Sequence, residues 1–95
     1  MSVTCGRLSY VYGFQGAAAS VDTACSSSLV CCHLGNNDIV TAHSSAAIVA
    51  GANVILLPQA SMCCLAAGML APDGRCKTLD SAGDGYVRAE GCMLM

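Results

Sequence analysis

The sequence predicts an α/β protein. Short apolar runs of strand length alternate with a stretch of helical spacing, turn residues separate them, and few residues carry charge. Strands that read as near-continuous apolar segments are those covered on both faces, and strand–helix–strand order lays helices over them. Only 11% of the 95 residues are charged and 55% are hydrophobic, with a mean hydropathy of +0.59, whereas an average soluble domain is about 25% charged. A chain this long forms one small domain at most. So apolar a composition needs more cover than a domain of that size gives itself. It describes an interior slab of a larger domain.

The elements follow in order. Arg7–Tyr12 (RLSYVY) alternates loosely, as a short strand or a helix end, and is broken at Gly13 and Gly16. Ala17–Asp22 (AAASVD) reads as a buried strand ending near Asp22. Ser26–Leu34 is apolar at Leu29, Val30 and Cys32, with His33 beside them, and reads as a mostly buried helix. Gly35-Asn36-Asn37-Asp38 is a stop signal, from which a helix can restart toward Ala42. Ala46–Ala50 (AAIVA) reads as a fully buried strand bounded by Gly51, and residues 61–70 as a short helix ending at Gly68. Ala71-Pro72-Asp73-Gly74 is a turn, because Pro fixes φ and Gly accepts positive φ. Asp80–Gly85 is a second loop, and Tyr86–Met95 reads as a strand running to the last residue. There is no internal repeat and no linker.

Several functions are excluded at this level. The longest apolar run, residues 46–57, is closed by Pro58, contains Asn53, and falls short of the roughly 20 residues of a spanning helix. MSVTCGRLSY has none of the regions of a signal peptide. No lipidation motif is present, and the expectation is a soluble, cytoplasmic protein. The cations Arg7, Arg75, Lys77 and Arg88 are dispersed and the net charge is −2, which opposes nucleic-acid binding. The eight cysteines include two adjacent pairs and no C-x-x-C knuckle, a poor pattern for a disulfide scaffold or a zinc site. Most are expected to pack as small core residues. The loop from Asp80 to Glu90 has an EF-hand-like start, but Ala82 stands at the third position and Glu90 comes one residue early, so no calcium site is expected.

Cys25 differs from the other cysteines by position. It follows one predicted strand and opens a predicted helix. The free N–H groups and positive dipole end of a helix stabilise a thiolate, and the same N–H groups can receive the oxyanion of a tetrahedral intermediate. Small neighbours (Ala24, Ser26, Ser27) leave room for a substrate carbonyl. The alternative is a buried cysteine beside serines that cap a helix.

The stretch VDTACSSSLV, residues 21–30, resembles the active-site signature of β-ketoacyl synthase domains of type I polyketide synthases. GRLSYVY (6–12), AGANV (50–54), GMLAPDGRCKTLD (68–80) and GYVRAEGC (85–92) resemble further blocks of that family in the same order. Two stretches depart from the pattern: Gly-Ala-Ala at 16–18 in place of Gly-Pro-Ser, and residues 35–45 in place of a segment that is usually helical. The resemblance implies a thiolase-like fold, layered α-β-α-β-α when complete. Residues 1–95 would be a partial β-ketoacyl synthase domain, part of the N-terminal half and incomplete at both ends.

By the same resemblance the reaction is a decarboxylative Claisen condensation in polyketide chain extension. Cys25 accepts the acyl chain as a thioester, with its backbone N–H as an oxyanion donor. A malonyl-type extender on acyl carrier protein then attacks it. Substrates are carried on the phosphopantetheine arm of acyl carrier protein, with no bound cofactor and no metal, and the complete domain is expected to be a homodimer. The family's two histidines lie in blocks resembling HGTGT and NIGH, neither of which occurs in this sequence. The segment alone is therefore expected to be inactive. His33 is expected to be a packed core residue and His43 solvated. A fatty-acid-type condensing enzyme of the same fold and a non-catalytic remnant are the rival readings.

Overall fold

The computed structural model describes residues 2–95. The elements are α1 (Ser2–Tyr12), a single 3₁₀ turn (Ala24–Ser26), α2 (Ser27–Val40), β1 (Ala50–Asn53), α3 (Gln59–Ala66) and β2 (Gly91–Leu94). β1 and β2 form a two-stranded sheet. It is antiparallel: just beyond the strand ends, Val49 and Met95 exchange both backbone hydrogen bonds at 2.9 Å. The chain divides into two compact units, one running to Gly51 and including Met93–Met95, the other Ala52–Cys92.

All three helices end in the same way, with a left-handed residue just past the last turn. Gly13 (φ +67°) follows α1, and the Phe14 N–H reaches back to the Ser9 carbonyl at 3.0 Å. Gly68 (φ +69°) follows α3, where the Gly68 and Met69 N–H groups bond the Leu65 and Cys64 carbonyls. These are Schellman closures, which satisfy the orphan carbonyls of a helix end. α2 closes likewise, but with Ala42 (φ +59°) in the left-handed position and the His43 N–H on the Asp38 carbonyl.

In the first unit, α2 therefore runs through Gly35-Asn36-Asn37-Asp38, which the sequence marks as a stop. The glycine serves packing instead. A Cβ at Gly35 would lie 3.0 Å from Val49 Cγ2 and 3.3 Å from the Ala47 Cβ, so the chain returning toward β1 passes against the bare helix backbone. Residues 17–22 form no β-ladder, contrary to the strand expected there. A strand needs a neighbouring strand to ladder with, and no strand among the described residues is laddered to residues 17–22. The strand expected at Ala46–Ala50 is displaced to Ala50–Asn53, where β2 supplies the pairing.

The second unit is organised around a backbone contact. Leu70 and Tyr86 form a parallel bridge, with the Ala71 N–H on the Tyr86 carbonyl and the Tyr86 N–H on the Met69 carbonyl, both at 3.0 Å. Gly85 permits it. Its φ is +149°, and a Cβ there would lie 2.4 Å from Ala71 N and from the Leu70 carbonyl carbon. The turn expected at Ala71–Gly74 forms, closed by the Gly74 N–H on the Ala71 carbonyl at 3.1 Å. Lys77 Nζ lies 3.1 Å from Asp73 and 2.6 Å from Asp84, tying the two ends of the loop between them. Asn53 Nδ2 donates to the Ala89 carbonyl and the Ile55 N–H to Glu90. The strand expected over Tyr86–Met95 is thus regular only at its end, as β2.

The apolar faces are open. Ala71 is the one buried hydrophobic residue among the described residues, while Tyr10, Leu29, Leu56 and Leu79 are among many large apolar side chains that are exposed. The accessible surface is 7709 Å², against about 5,100 Å² for a compact monomer of this mass. The apolar faces that the sequence marks for burial have no opposing element among the described residues. The expectation of buried cysteines fails for the same reason. Among the described residues none of the eight is in a disulfide, and four are exposed and four half-buried. His33, expected in the core, is exposed on α2.

Two measurements test this description. In the protein as encoded, Gly85→Ala lowers stability by about 1–3 kcal/mol through overpacking against the Leu70–Ala71 backbone, read as a lower denaturation midpoint with an unchanged denaturant slope. Lys77 holds the Asp73 carboxyl below its ordinary 3.8, while Asp84 and then Asp73 raise the Lys77 ammonium above its ordinary 10.5. The cluster's contribution is complete between those ordinary values. It fades as pH falls through the lowered Asp73 pKa or rises through the raised Lys77 pKa. Lys77→Met raises the midpoint of the Asp73 carboxyl titration, followed by ¹³C NMR, toward its ordinary value; an unmoved midpoint contradicts the pairing.

Candidate active site

The chain before α2 turns on Ala24, a non-glycine residue at φ +55°. Left-handed backbone costs an L-residue roughly 1–2 kcal/mol, so something must hold it. Five hydrogen bonds do. The Asp22 carboxylate accepts the Ala24 N–H at 3.0 Å. Ser27 Oγ accepts the Thr23 N–H at 2.9 Å and donates to the Ala24 carbonyl at 2.7 Å. Ser26 Oγ donates to the Thr23 carbonyl at 2.9 Å. Its one proton is thereby used, so in the 2.8 Å contact between Thr23 Oγ1 and Ser26 Oγ the threonine donates. Every backbone polar group of Thr23 and Ala24 is thus bonded within the turn.

Cys25 stands in the middle of this turn and is exposed. The backbone hydrogen bonds of the turn begin after it. The Ser26 N–H bonds the Thr23 carbonyl at 3.4 Å, and the Ser27 N–H bonds the Ala24 carbonyl. Ser26 is the N-cap of α2, yet its side chain makes no cap hydrogen bond, because its hydroxyl is engaged with Thr23. No side-chain cap therefore competes for the N–H groups at this helix start. Behind the turn, a Cβ at Gly51 would lie 2.9 Å from Ser28 Oγ, so the first turn of α2 packs directly on bare β1 backbone.

The other sequence-marked residues are elsewhere. His33 projects from α2 into solvent. His43 lies past the helix end, exposed as expected, with Nδ1 3.0 Å from Thr41 Oγ1 and 3.9 Å from Asp38. Among the described residues, neither is hydrogen-bonded to Cys25. In the second unit, Cys64 accepts a 3.5 Å hydrogen bond from Arg88 Nη1 and pushes the neighbouring Tyr86 phenol above its ordinary pKa, with burial adding to the rise. A depression of about 340 Å³ there is lined by Val54, Ile55, Leu56, Leu57, Gln59, Ala60 and Arg88; Cys25 does not line it. No helix among the described residues is long and apolar enough to cross a membrane.

The family model described as the N-terminal domain of β-ketoacyl synthase matches residues 1–95. The chain belongs to the β-ketoacyl synthase family. It is close to polyketide synthase ketosynthase domains: it is 49% identical over 90 residues to a phenolphthiocerol/phthiocerol polyketide synthase polypeptide of Mycobacterium tuberculosis, a match that takes in 95% of this chain and 4% of that protein. A fatty acid synthase from Anser anser anser is 45% identical over 89 residues, 94% of this chain and 25% of that sequence. The ketosynthase from module 6 of the bacillaene synthase of Bacillus subtilis superposes with a TM-score of 0.89 at 38% identity, over 95% of this chain and 17% of that one. The chain thus spans a quarter or less of the length of these relatives. The thiolase-like α/β class expected from the sequence agrees with that superposition.

The sequence of this ketosynthase segment singles out Cys25 by position, but Asp22, Thr23, Ser26 and Ser27, whose side chains build the turn around it, emerge only from the structure. Their signal is nonetheless present. Asp, Thr and Ser within six residues are the types that hydrogen-bond nearby backbone and close turns. Ser27 carries two of the five bonds, and its loss is measurable. Ser27→Ala speeds hydrogen exchange at the Thr23 amide about 5–10-fold, as expected for a hydrogen bond worth about 1 kcal/mol. Exchange at the wild-type rate would show that the turn does not depend on it.

Proposed function

We propose that this segment carries the acyl-accepting half of a ketosynthase that extends polyketide chains by decarboxylative Claisen condensation. The observation that carries the reading is the placement of Cys25. The cysteine of a VDTACSSSLV stretch in a ketosynthase-family chain is exposed at a helix start whose N–H donors are not consumed by a side-chain cap.

The chemistry follows from that geometry. The Cys25 thiolate attacks the carbonyl carbon of an acyl thioester, a new S–C bond forms, and the negative charge moves to the carbonyl oxygen. The Cys25 N–H, which precedes the bonded series of the turn, receives that oxyanion. As the oxyanion collapses, the bond to the phosphopantetheine sulfur breaks, and the arm leaves as a thiol carrying the proton that Cys25 gave up. A malonyl-type extender on acyl carrier protein then loses CO₂, and its carbanion displaces Cys25 to give a β-ketoacyl product. Covalent catalysis divides one difficult carbon–carbon bond formation into two easier steps.

The histidine pair that assists decarboxylation in the family is not among these 95 residues. Condensation is therefore assigned to the whole synthase and acyl acceptance to this segment. In that whole, the domain adopts the layered α-β-α-β-α arrangement, pairs as a homodimer, works with acyl carrier protein and needs no bound cofactor. The open apolar faces described above suit such surroundings. The 45% identity to a fatty acid synthase favours a second reading, in which the same acyl acceptance serves fatty-acid extension.

Mass spectrometry of the protein as encoded, incubated with an acyl thioester, tests the assignment. One acyl group is expected on the peptide containing residue 25, and none after Cys25→Ala. Acylation of the Cys25→Ala variant at unchanged stoichiometry would sink it.

A further inference from the structure

We infer that Asp22 is a positioning residue for Cys25, acting by holding Ala24 in the left-handed conformation. The inference rests on the reading of Cys25 as the acyl acceptor. Among the described residues three non-glycine residues have positive φ: Ala24, Ala42 and Leu79. Ala42 closes a helix and Leu79 lies in an exposed loop. Ala24 alone of the three is bonded to the residue on which the proposed chemistry depends.

A side-chain acceptor explains why Ala24 stays there. Asp22 Oδ1 takes the Ala24 N–H at 3.0 Å, and this is the one bond of the turn that reaches Ala24 from the N-terminal side. The four remaining bonds tie Thr23 and the Ala24 carbonyl to Ser26 and Ser27. Those bonds fix the start of α2 and hold the Ala24–Cys25 peptide by its carbonyl oxygen, while Asp22 fixes the Thr23–Ala24 peptide, the plane on the other side of the Ala24 φ rotation. Without it, an L-alanine relaxes toward negative φ. Ser27 holds the Ala24–Cys25 peptide only at its carbonyl oxygen, so the change of φ turns that plane about the held atom, and the Cys25 N–H turns with it. The direction of the oxyanion donor changes while the sulfur stays exposed on the same turn. Asp22 therefore acts on the tetrahedral intermediate rather than on the thiol itself.

Two reactions of the same sulfur separate these effects. Acyl transfer from a short acyl thioester passes through an oxyanion; alkylation by iodoacetamide does not. In the protein as encoded, Asp22→Ala is expected to slow acylation of Cys25 at least about tenfold, in the maximal rate rather than in the thioester concentration at half-maximal rate, as for loss of an oxyanion donor's alignment. Alkylation of Cys25 changes less than about threefold, since it needs no such donor. Asp22→Asn keeps an Oδ1 acceptor and recovers most of the rate. Asp22→Ala combined with Ala24→Gly recovers part of it, because glycine occupies positive φ without the carboxylate's help.

If Asp22→Ala does not fold, the asparagine variant and Ala24→Val carry the test. The valine variant keeps the carboxylate but opposes φ +55°, so acylation slows while alkylation persists. The inference is overturned if Asp22→Ala acylates at the wild-type rate, if acylation and alkylation fall together, or if Asp22→Asn is as slow as Asp22→Ala. Each of those results leaves Cys25 as acyl acceptor intact. Failure of the wild-type protein to acylate at Cys25 would instead overturn the functional reading, and this inference with it.

Discussion

A left-handed alanine held by a neighbouring carboxylate is the constraint on which the geometry around Cys25 depends. Ala24 at φ +55° lets the chain leave the irregular residues 17–23 and enter α2 within one turn. That turn puts Cys25 ahead of the first backbone bonds and keeps it at the surface. The hydroxyls of Thr23, Ser26 and Ser27 are spent on holding the turn. Strain of this kind persists only where surrounding bonds over-determine it, and such places cluster at sites where geometry matters to chemistry.

The rest of the first unit supports the same point from behind. α2 approaches the returning chain at two places where a side chain has been removed: Gly35 faces Ala47 and Val49, and Gly51 faces Ser28. Two bare contacts, one on the helix and one on the strand, set the distance between α2 and the backbone beside it. Interiors respond to a change of even one methylene, so these glycines fix the height at which the Cys25 turn is presented. The exposed apolar surface around them is stabilising only when covered, at roughly 25 cal/mol per Å².

Much of this was legible in the sequence, and the failures have physical causes. The α/β class, α3, the Ala71–Gly74 turn and the position of Cys25 at a helix start could be read from spacing and turn chemistry. Gly35-Asn36-Asn37-Asp38 misled because a glycine can end a helix or admit a neighbour, and composition does not say which. The true end used Ala42 in a role that glycine fills in the other two helices. Residues 17–22 look like a buried strand by smallness alone, but a strand is defined by a partner that local sequence does not name. Burial was overestimated at His33 and at most of the cysteines, because an apolar pattern records where cover is needed rather than whether this chain supplies it.

The parallel bridge between Leu70 and Tyr86 has a topological consequence. With its two backbone hydrogen bonds and the glycine that admits them, it makes residues 71–85 a closed ring whose neck is set by backbone alone. The entropy of closing such a ring grows only with the logarithm of its length, so doubling it costs about 0.6 kcal/mol. The neck is intolerant of a single added carbon, yet the tip is nearly indifferent to added residues. Insertions can therefore accumulate at the tip while the two chain segments entering the ring stay in register.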